Sequence, residues 1–214
     1  GEKTLTGRMA LRWTPTDTLD ATLSYFYQSQ DVEGRSISHY NALPQSNALS
    51  GAPGEYDSAY RYAEPREKID DLLSLEVTAD LGFAELTAAA GVSSFEADGQ
   101  RDQTDLLIRL NYSYEDFPAF SAYTREQDNA DVTTGEVRLV STYESDFSWI
   151  TGVFYNQFES DNISEEFTPG YDVFLGGSRP DALKYLSVGD STVTESAIFG
   201  EVTYQINDQW DATL

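Results

Sequence analysis

Aromatic rings and arginines are interleaved in three stretches of this 214-residue chain: Tyr60, Arg61 and Tyr62; Arg109, Tyr112, Tyr114, Phe117, Phe120, Tyr123 and Arg125; and Tyr171, Phe174 and Arg179. Rings stack on flat groups and guanidinium forks take anionic oxygens in pairs, so these residues suit a flat, conjugated or anionic ligand. The competing reading is that large loops need an internal core of their own and the rings supply it. Catalytic chemistry has less to stand on. His39 is the only histidine and there is no cysteine, so a histidine metal site, a serine-histidine triad, a thiolate nucleophile and a disulfide are all out of reach. The chain has 37 acidic residues, yet nothing in their spacing sets two of them around a cleft as glycoside hydrolysis requires. Asp128 and Asp131, or Glu159, Asp161, Glu165 and Glu166, carry the hard oxygens that Ca²⁺ takes, but without the spacing of an EF-hand, and solvated surface is the better reading. No catalytic residue, metal ligand or cofactor is assigned.

The elements that must position these residues are strands. Leu5, Gly7, Met9, Leu11 and Trp13 alternate with Thr4, Thr6, Arg8, Ala10 and Arg12, and Leu19, Ala21, Leu23, Tyr25 and Tyr27 alternate with polar residues, Phe26 being the exception. Period-2 alternation gives a strand two unlike faces. Pro15 is expected to end the first strand, and Thr14–Thr18 to turn the chain. The same pattern recurs through Ile69–Ala79 and Glu85–Ser93, through Thr133–Tyr143 and Phe147–Phe158, and through Ile198–Ile206 with an eighth strand beginning at Trp210. In Phe147–Phe158 the alternation is blurred and neither face stands out. Between the pairs the pattern stops, over about Asp31–Arg66, Glu96–Asp131 and Glu159–Val193, which read as long loops.

Short turns near Asp17, Leu81, Ser145 and Asp208 therefore recur at roughly 64-residue spacing, each hairpin followed by a long loop. Short turns at one end and long loops at the other is the organisation of outer-membrane barrels, with turns on the periplasmic side and loops outside. Trp13, Tyr25, Tyr27, Phe83, Tyr143, Phe147, Trp149, Tyr204 and Trp210 suit the aromatic girdles of such a barrel. Mean hydropathy is −0.45, and no run nears the ~18 apolar residues of a spanning helix, whereas barrel strands need only about 9–11 residues with alternate positions apolar. A net charge of −24 argues against nucleic acid as a partner. No export signal is visible in Gly1-Glu2-Lys3, which predicts either a cytosolic protein or one whose front end lies outside this sequence.

Segments 7–27 (GRMALRWTPTDTLDATLSYFY), 135–141 (GEVRLVS), 147–155 (FSWITGVFY) and 197–214 (AIFGEVTYQINDQWDATL), in this order, resemble the middle of the β-barrel of a TonB-dependent outer-membrane receptor. The resemblance covers nearly all of residues 1–214, read as one domain, but only part of that family's barrel of about 22 strands with its plugged lumen. It implies an all-β, antiparallel up-and-down transmembrane barrel, of which about eight strands are present, without plug or TonB-engaging segment. It further implies a bacterial outer-membrane location, lipid, the plug, the remaining strands and the TonB complex as partners, and import of a scarce ligand such as a ferric siderophore or similar metal chelate. On this resemblance, ligand capture falls to Tyr60, Arg61, Tyr62, Arg109, Tyr112, Tyr114, Phe120, Tyr123, Arg125, Tyr171, Phe174 and Arg179, and catalysis is not expected. Inner-wall Arg8, Arg12, Glu76, Glu136, Arg138 and Glu201 form polar ladders, some of them plug contacts. The alternatives are a complete eight-stranded structural or adhesive barrel, against which the ending inside a strand argues, and a soluble all-β carbohydrate-binding or hydrolase domain.

Overall fold

The computed structural model describes residues 1–35, 37, 60–108, 114–143, 145–178 and 181–214. His39, Arg109, Tyr112 and Arg179 lie outside them. Eight strands, β1 (Glu2–Thr16), β2 (Leu19–Val32), β3 (Arg66–Asp80), β4 (Ala84–Asp102), β5 (Tyr123–Ser141), β6 (Phe147–Phe167), β7 (Leu183–Asn207) and β8 (Trp210–Thr213), form one antiparallel sheet in sequence order. Within the described residues β1 pairs only with β2 and β8 only with β7, so the sheet is open. Up-and-down order with every neighbour adjacent in sequence is what hairpins alone can build. Short polar side chains close the tight ends. The Gly82 amide donates to Asp80 Oδ1 at 2.7 Å, Phe147 N to Ser145 Oγ at 3.1 Å and Gln209 N to Asn207 Oδ1 at 2.9 Å. Gly82 sits at φ 82°, a left-handed conformation that glycine adopts without a Cβ penalty.

Register sets the two faces. One cross-strand row runs Trp13, Ala21, Val77, Ala88, Val137, Val153, Ile198, and the next Leu11, Leu23, Leu75, Ala90, Gly135, Tyr155, Ser196. This apolar face is open to the surroundings: Met9 is 75% exposed and Ile198 86%. In a water-soluble sheet those side chains would be covered, so the face is built for a hydrocarbon solvent. Pairing of Val153 with Val137 and Ile198 also resolves β6, placing Trp149, Thr151, Val153 and Tyr155 on the apolar face. Its alternation is blurred because the opposite face is not uniformly polar. There Phe26, Leu72, Ser93, Val132, Phe158 and Val193 form one continuous row, and the Phe199 ring lies over Gly152. Phe26 breaks its strand's pattern for this reason.

Girdle residues Trp13, Phe83, Tyr143, Phe147, Tyr204 and Trp210 lie at the short-turn end and are 41–68% exposed. From Phe147 to Tyr155 the strand rises about 27 Å, against an apolar band about 25 Å tall on outer-membrane barrels. β6 then continues another ~40 Å to Phe167.

Strand ends differ from the sequence expectation. The second and third long loops begin later and end earlier than alternation suggests: β4 reaches Asp102, β5 starts at Tyr123, β6 reaches Phe167 and β7 starts at Leu183. Above the apolar band water wets both faces, so side chains stop alternating while the backbone ladder continues, as in the pairs Ala130–Phe95 and Ser160–Ala130. Pro15 does not end β1; it sits at a register irregularity between Trp13 and Thr16, where a missing N–H costs little. No helix among the described residues is long and apolar enough to cross a membrane, which says nothing of a β-barrel.

Candidate ligand-binding site

At the long-loop end, two connections pack on each other. The first holds α1 (Thr104–Ile108) and a 3₁₀ turn (Tyr114–Asp116); the second holds α2 (Tyr171–Phe174). Leu107, Tyr114, Phe120, Ala122 and Tyr171 are each at most 5% exposed and form one apolar cluster, with Phe117 against it. Tyr114 stacks on Phe120 with centroids 4.4 Å apart and meets the edge of Tyr171 at 4.7 Å, and Phe117 stacks on Phe174 at 4.7 Å. Gly170 enters α2 at φ 79°, where a Cβ would lie 3.5 Å from the Phe117 ring. The loop-core reading of the sequence thus holds for these rings. Phe120 is a core residue, while Tyr114 and Tyr171 have one side in the core and the other against a cavity.

The stretch 60–65 is tied down by two carboxylates, half-buried Asp102 and buried Glu64. Asp102 Oδ2 accepts the amides of Arg61 at 2.6 Å and Tyr62 at 2.9 Å, while its Oδ1 takes Thr104 N at 2.8 Å and so starts α1. Glu64, 2% exposed, accepts Asp102 N at 2.9 Å and pairs with the Arg35 guanidinium, which satisfies its charge in place of water. The Tyr62 hydroxyl bonds Ser121 Oγ at 2.8 Å. Thr104 Oγ1 accepts Ala122 N at 3.0 Å and closes the base of the first connection.

Of the residues singled out from sequence, Tyr123 and Arg125 stand on β5 rather than in a loop. Tyr62, Tyr123 and Phe167 form a row of rings with centroids 4.6 and 5.0 Å apart, and the Arg125 guanidinium lies 5.4 Å from the Phe167 centroid and 5.7 Å from that of Tyr123. That cation–π placement occupies Arg125 with its own neighbours. This row is on the same face as the apolar band, away from the loop cluster, since Tyr123 pairs with Asp102 and Phe167 at odd register from Thr124. Tyr60 is 48% exposed and Phe174 45%.

Between the loop core and the upper ends of β6 and β7 lies an open cavity of about 610 Å³. Leu107, Tyr114, Tyr171 and Leu175 wall it, and Glu166, Lys184 and Tyr185 stand at its rim. Lys184 Nζ is 6.0 Å from the Tyr171 ring centroid. Burial pushes the Glu166 carboxyl above the usual carboxylate range, and the nearby Lys184 ammonium pulls it partly back. Lys184 and Tyr185 escape sequence reasoning because they lie in a stretch with no alternation, and Glu166 stands out there only among the acidic groups weighed for Ca²⁺; the register Glu166–Tyr185 is what sets them side by side. Among the described residues no group of three or more His, Cys, Asp or Glu side chains could hold a metal ion. The arrangement sets rings, one cation and one carboxylate around a void, the mix of apolar wall and few polar groups common to small-molecule pockets.

An open antiparallel sheet with an exposed apolar band, tight turns at one end and packed loops at the other has the fold of a segment of an outer-membrane receptor barrel. Among solved structures it is similar to the ferric yersiniabactin uptake receptor FyuA from Yersinia pestis, with TM-score 0.63 and 12% identity over 98% of this chain and 28% of that one. It is also similar to the siderophore receptor PiuA from Acinetobacter baumannii (TM-score 0.58, 11% identity, 99% and 38% coverage). The RagAB peptide importer gives TM-score 0.60 at 10% identity, with 97% and 26% coverage. The chain therefore spans well under half the length of these proteins. No protein-family model and no curated protein matches it.

Proposed function

We propose that this chain is part of the wall and outer loops of a TonB-dependent receptor in the bacterial outer membrane. The receptor imports a scarce small molecule, a ferric siderophore or similar metal chelate, and performs no catalysis. The observation that carries this reading is the alignment of 98% of the chain with an uptake-receptor barrel at TM-score 0.63. The exposed apolar face supports membrane residence, because a soluble sandwich would pack that face against a second sheet and the described residues form one. In this reading lipid covers the apolar band, further strands complete the barrel, and a plug fills the lumen and engages the TonB complex. Ligand capture falls to the loop end, where Tyr60, Arg61, Tyr62, Tyr114, Tyr171 and Phe174 stand among the described residues.

Deleting the gene and measuring energy-dependent accumulation of radiolabelled ferric chelates, with and without a protonophore, tests the reading. Loss of accumulation of at least one chelate, with the protein found in the outer-membrane fraction, is expected. Unchanged accumulation of every ferric chelate, alongside lost uptake of peptides, would replace the metal chelate with a peptide cargo. Recovery of the protein in the soluble fraction would end the receptor reading.

A further inference from the structure

We infer that the cavity between α1, α2 and the upper ends of β6 and β7 is a binding site for a ring-bearing small molecule that presents an anionic oxygen to Lys184 and a donor O–H or N–H to Glu166. The inference deepens the receptor reading and rests on it for the site's biological use. It stands on geometry of this chain's own. The void of about 610 Å³ is of ligand size, since small-molecule sites run ~300–1,000 Å³ with largely apolar walls and few polar groups. Two of its lining residues, Tyr114 and Tyr171, are fixed: they are 3% and 5% exposed and meet edge-on, so this wall needs no ordering, while Leu175 and Tyr185 supply most of the open surface. Lys184 Nζ is held near the Tyr171 ring rather than against a carboxylate, and neither it nor Glu166 makes a hydrogen bond or ion pair with another described residue. A cation and an acceptor on one rim, close enough to feel each other's charge but not hydrogen-bonded, are complementary to a ligand that gives each a hydrogen-bond partner at once. An unaccompanied anion would meet the repulsion of Glu166, and an unaccompanied cation that of Lys184, so the pair selects for the combination.

The test uses the intact protein extracted from outer membranes in detergent, with 3-hydroxybenzoate as probe and benzoate, which lacks the donor, as comparison, both by titration calorimetry. Saturable binding of 3-hydroxybenzoate is expected, several-fold tighter than benzoate. Lys184→Met weakens both probes about tenfold, the value of a charged hydrogen bond. Glu166→Ala removes the preference between them. Leu175→Trp, at a position 62% exposed and therefore tolerant of the change, fills the void and abolishes both, which keeps the test decisive if another variant fails to fold. Absence of saturable binding, or equal binding by wild type, Lys184→Met and Leu175→Trp, overturns the site. Those outcomes with chelate uptake intact remove the cavity and leave the receptor reading. Lys184-dependent binding in a protein whose deletion affects no uptake keeps the cavity and removes the receptor.

Discussion

At the residue scale the informative positions are those where one atom more or less changes what a neighbour can do. Phe120 is 2% exposed and stacked on Tyr114, inside a core to which two connections contribute among the described residues. Phe120→Ala leaves a void there at a cost of about 3–5 kcal/mol. The cost falls on local opening of the loop core and not on the strands, which are held by their own ladders. Hydrogen exchange should accelerate in 114–122 and 168–175 with the strands unchanged; equal acceleration in β3 and β4 would refute the separation. Gly152 is a second such position. A Cβ built on it would overlap the Phe199 ring, so Gly152→Ala must displace the ring, at about 1–3 kcal/mol for overpacking. Adding Phe199→Ala should recover most of that loss, as read by urea titration of folding into lipid vesicles, and no recovery in the double variant would show that the ring is not the cause.

At the scale of elements, the two faces of one sheet call for opposite chemistry. Val137 lies mid-band on the apolar face between Ala88 and Val153, so Val137→Arg costs about 2–4 kcal/mol against hydrocarbon. Ala89 lies one row along on the other face, opposite Glu136, where an arginine finds water and a carboxylate, and Ala89→Arg should be nearly neutral. Outer-membrane yield and heat-modifiable gel migration of the two variants test the assignment of faces; the reverse ranking would mean that the apolar face is not the lipid face. Upper strand segments follow a different rule. From Asp128 to Tyr123 and from Glu159 to Phe167 the ladder holds the chain in register with mostly polar side chains, up to the Tyr123–Phe167 ring pair at its end. The acidic groups there that had the composition of a calcium site are spread along strands: Asp131 faces Glu159 across the ladder, and Asp128 instead accepts Arg66 Nη2 at 3.3 Å.

For the whole molecule, the unpaired edges of β1 and β8 and the exposed apolar band decide behaviour in solution. In β1 every residue is exposed, and an open edge with apolar side chains templates association with other chains. Residues 1–214 alone, refolded by dilution into detergent-free buffer, are therefore expected to associate and to show no reversible cooperative transition in urea by tryptophan fluorescence. A monomeric species that unfolds cooperatively and reversibly would contradict the proposed reading of a membrane barrel completed by further strands.

Strand and turn positions, and the apolar face of most strands though not of β6, were legible from alternation, because a side-chain period of two survives wherever the two sides of a sheet meet different surroundings. Leu5 to Trp13 and Leu19 to Tyr27 show it without help. Where water meets both faces, as over Asp128–Tyr123 and Glu159–Phe167, the pattern vanishes although the strand does not, and those stretches read as loops. Aromatic and arginine interleaving was visible too, but not its division of labour, since the same rings serve as core or as ligand surface according to what packs behind them. Only the tertiary structure turned Tyr114 and Tyr171 into fixed walls, occupied Arg125 with Tyr123 and Phe167, and set Glu166 beside Tyr185 at the rim of a cavity. These outcomes depend on pairing and packing between residues distant in sequence, and a local pattern carries no record of its neighbours across the sheet.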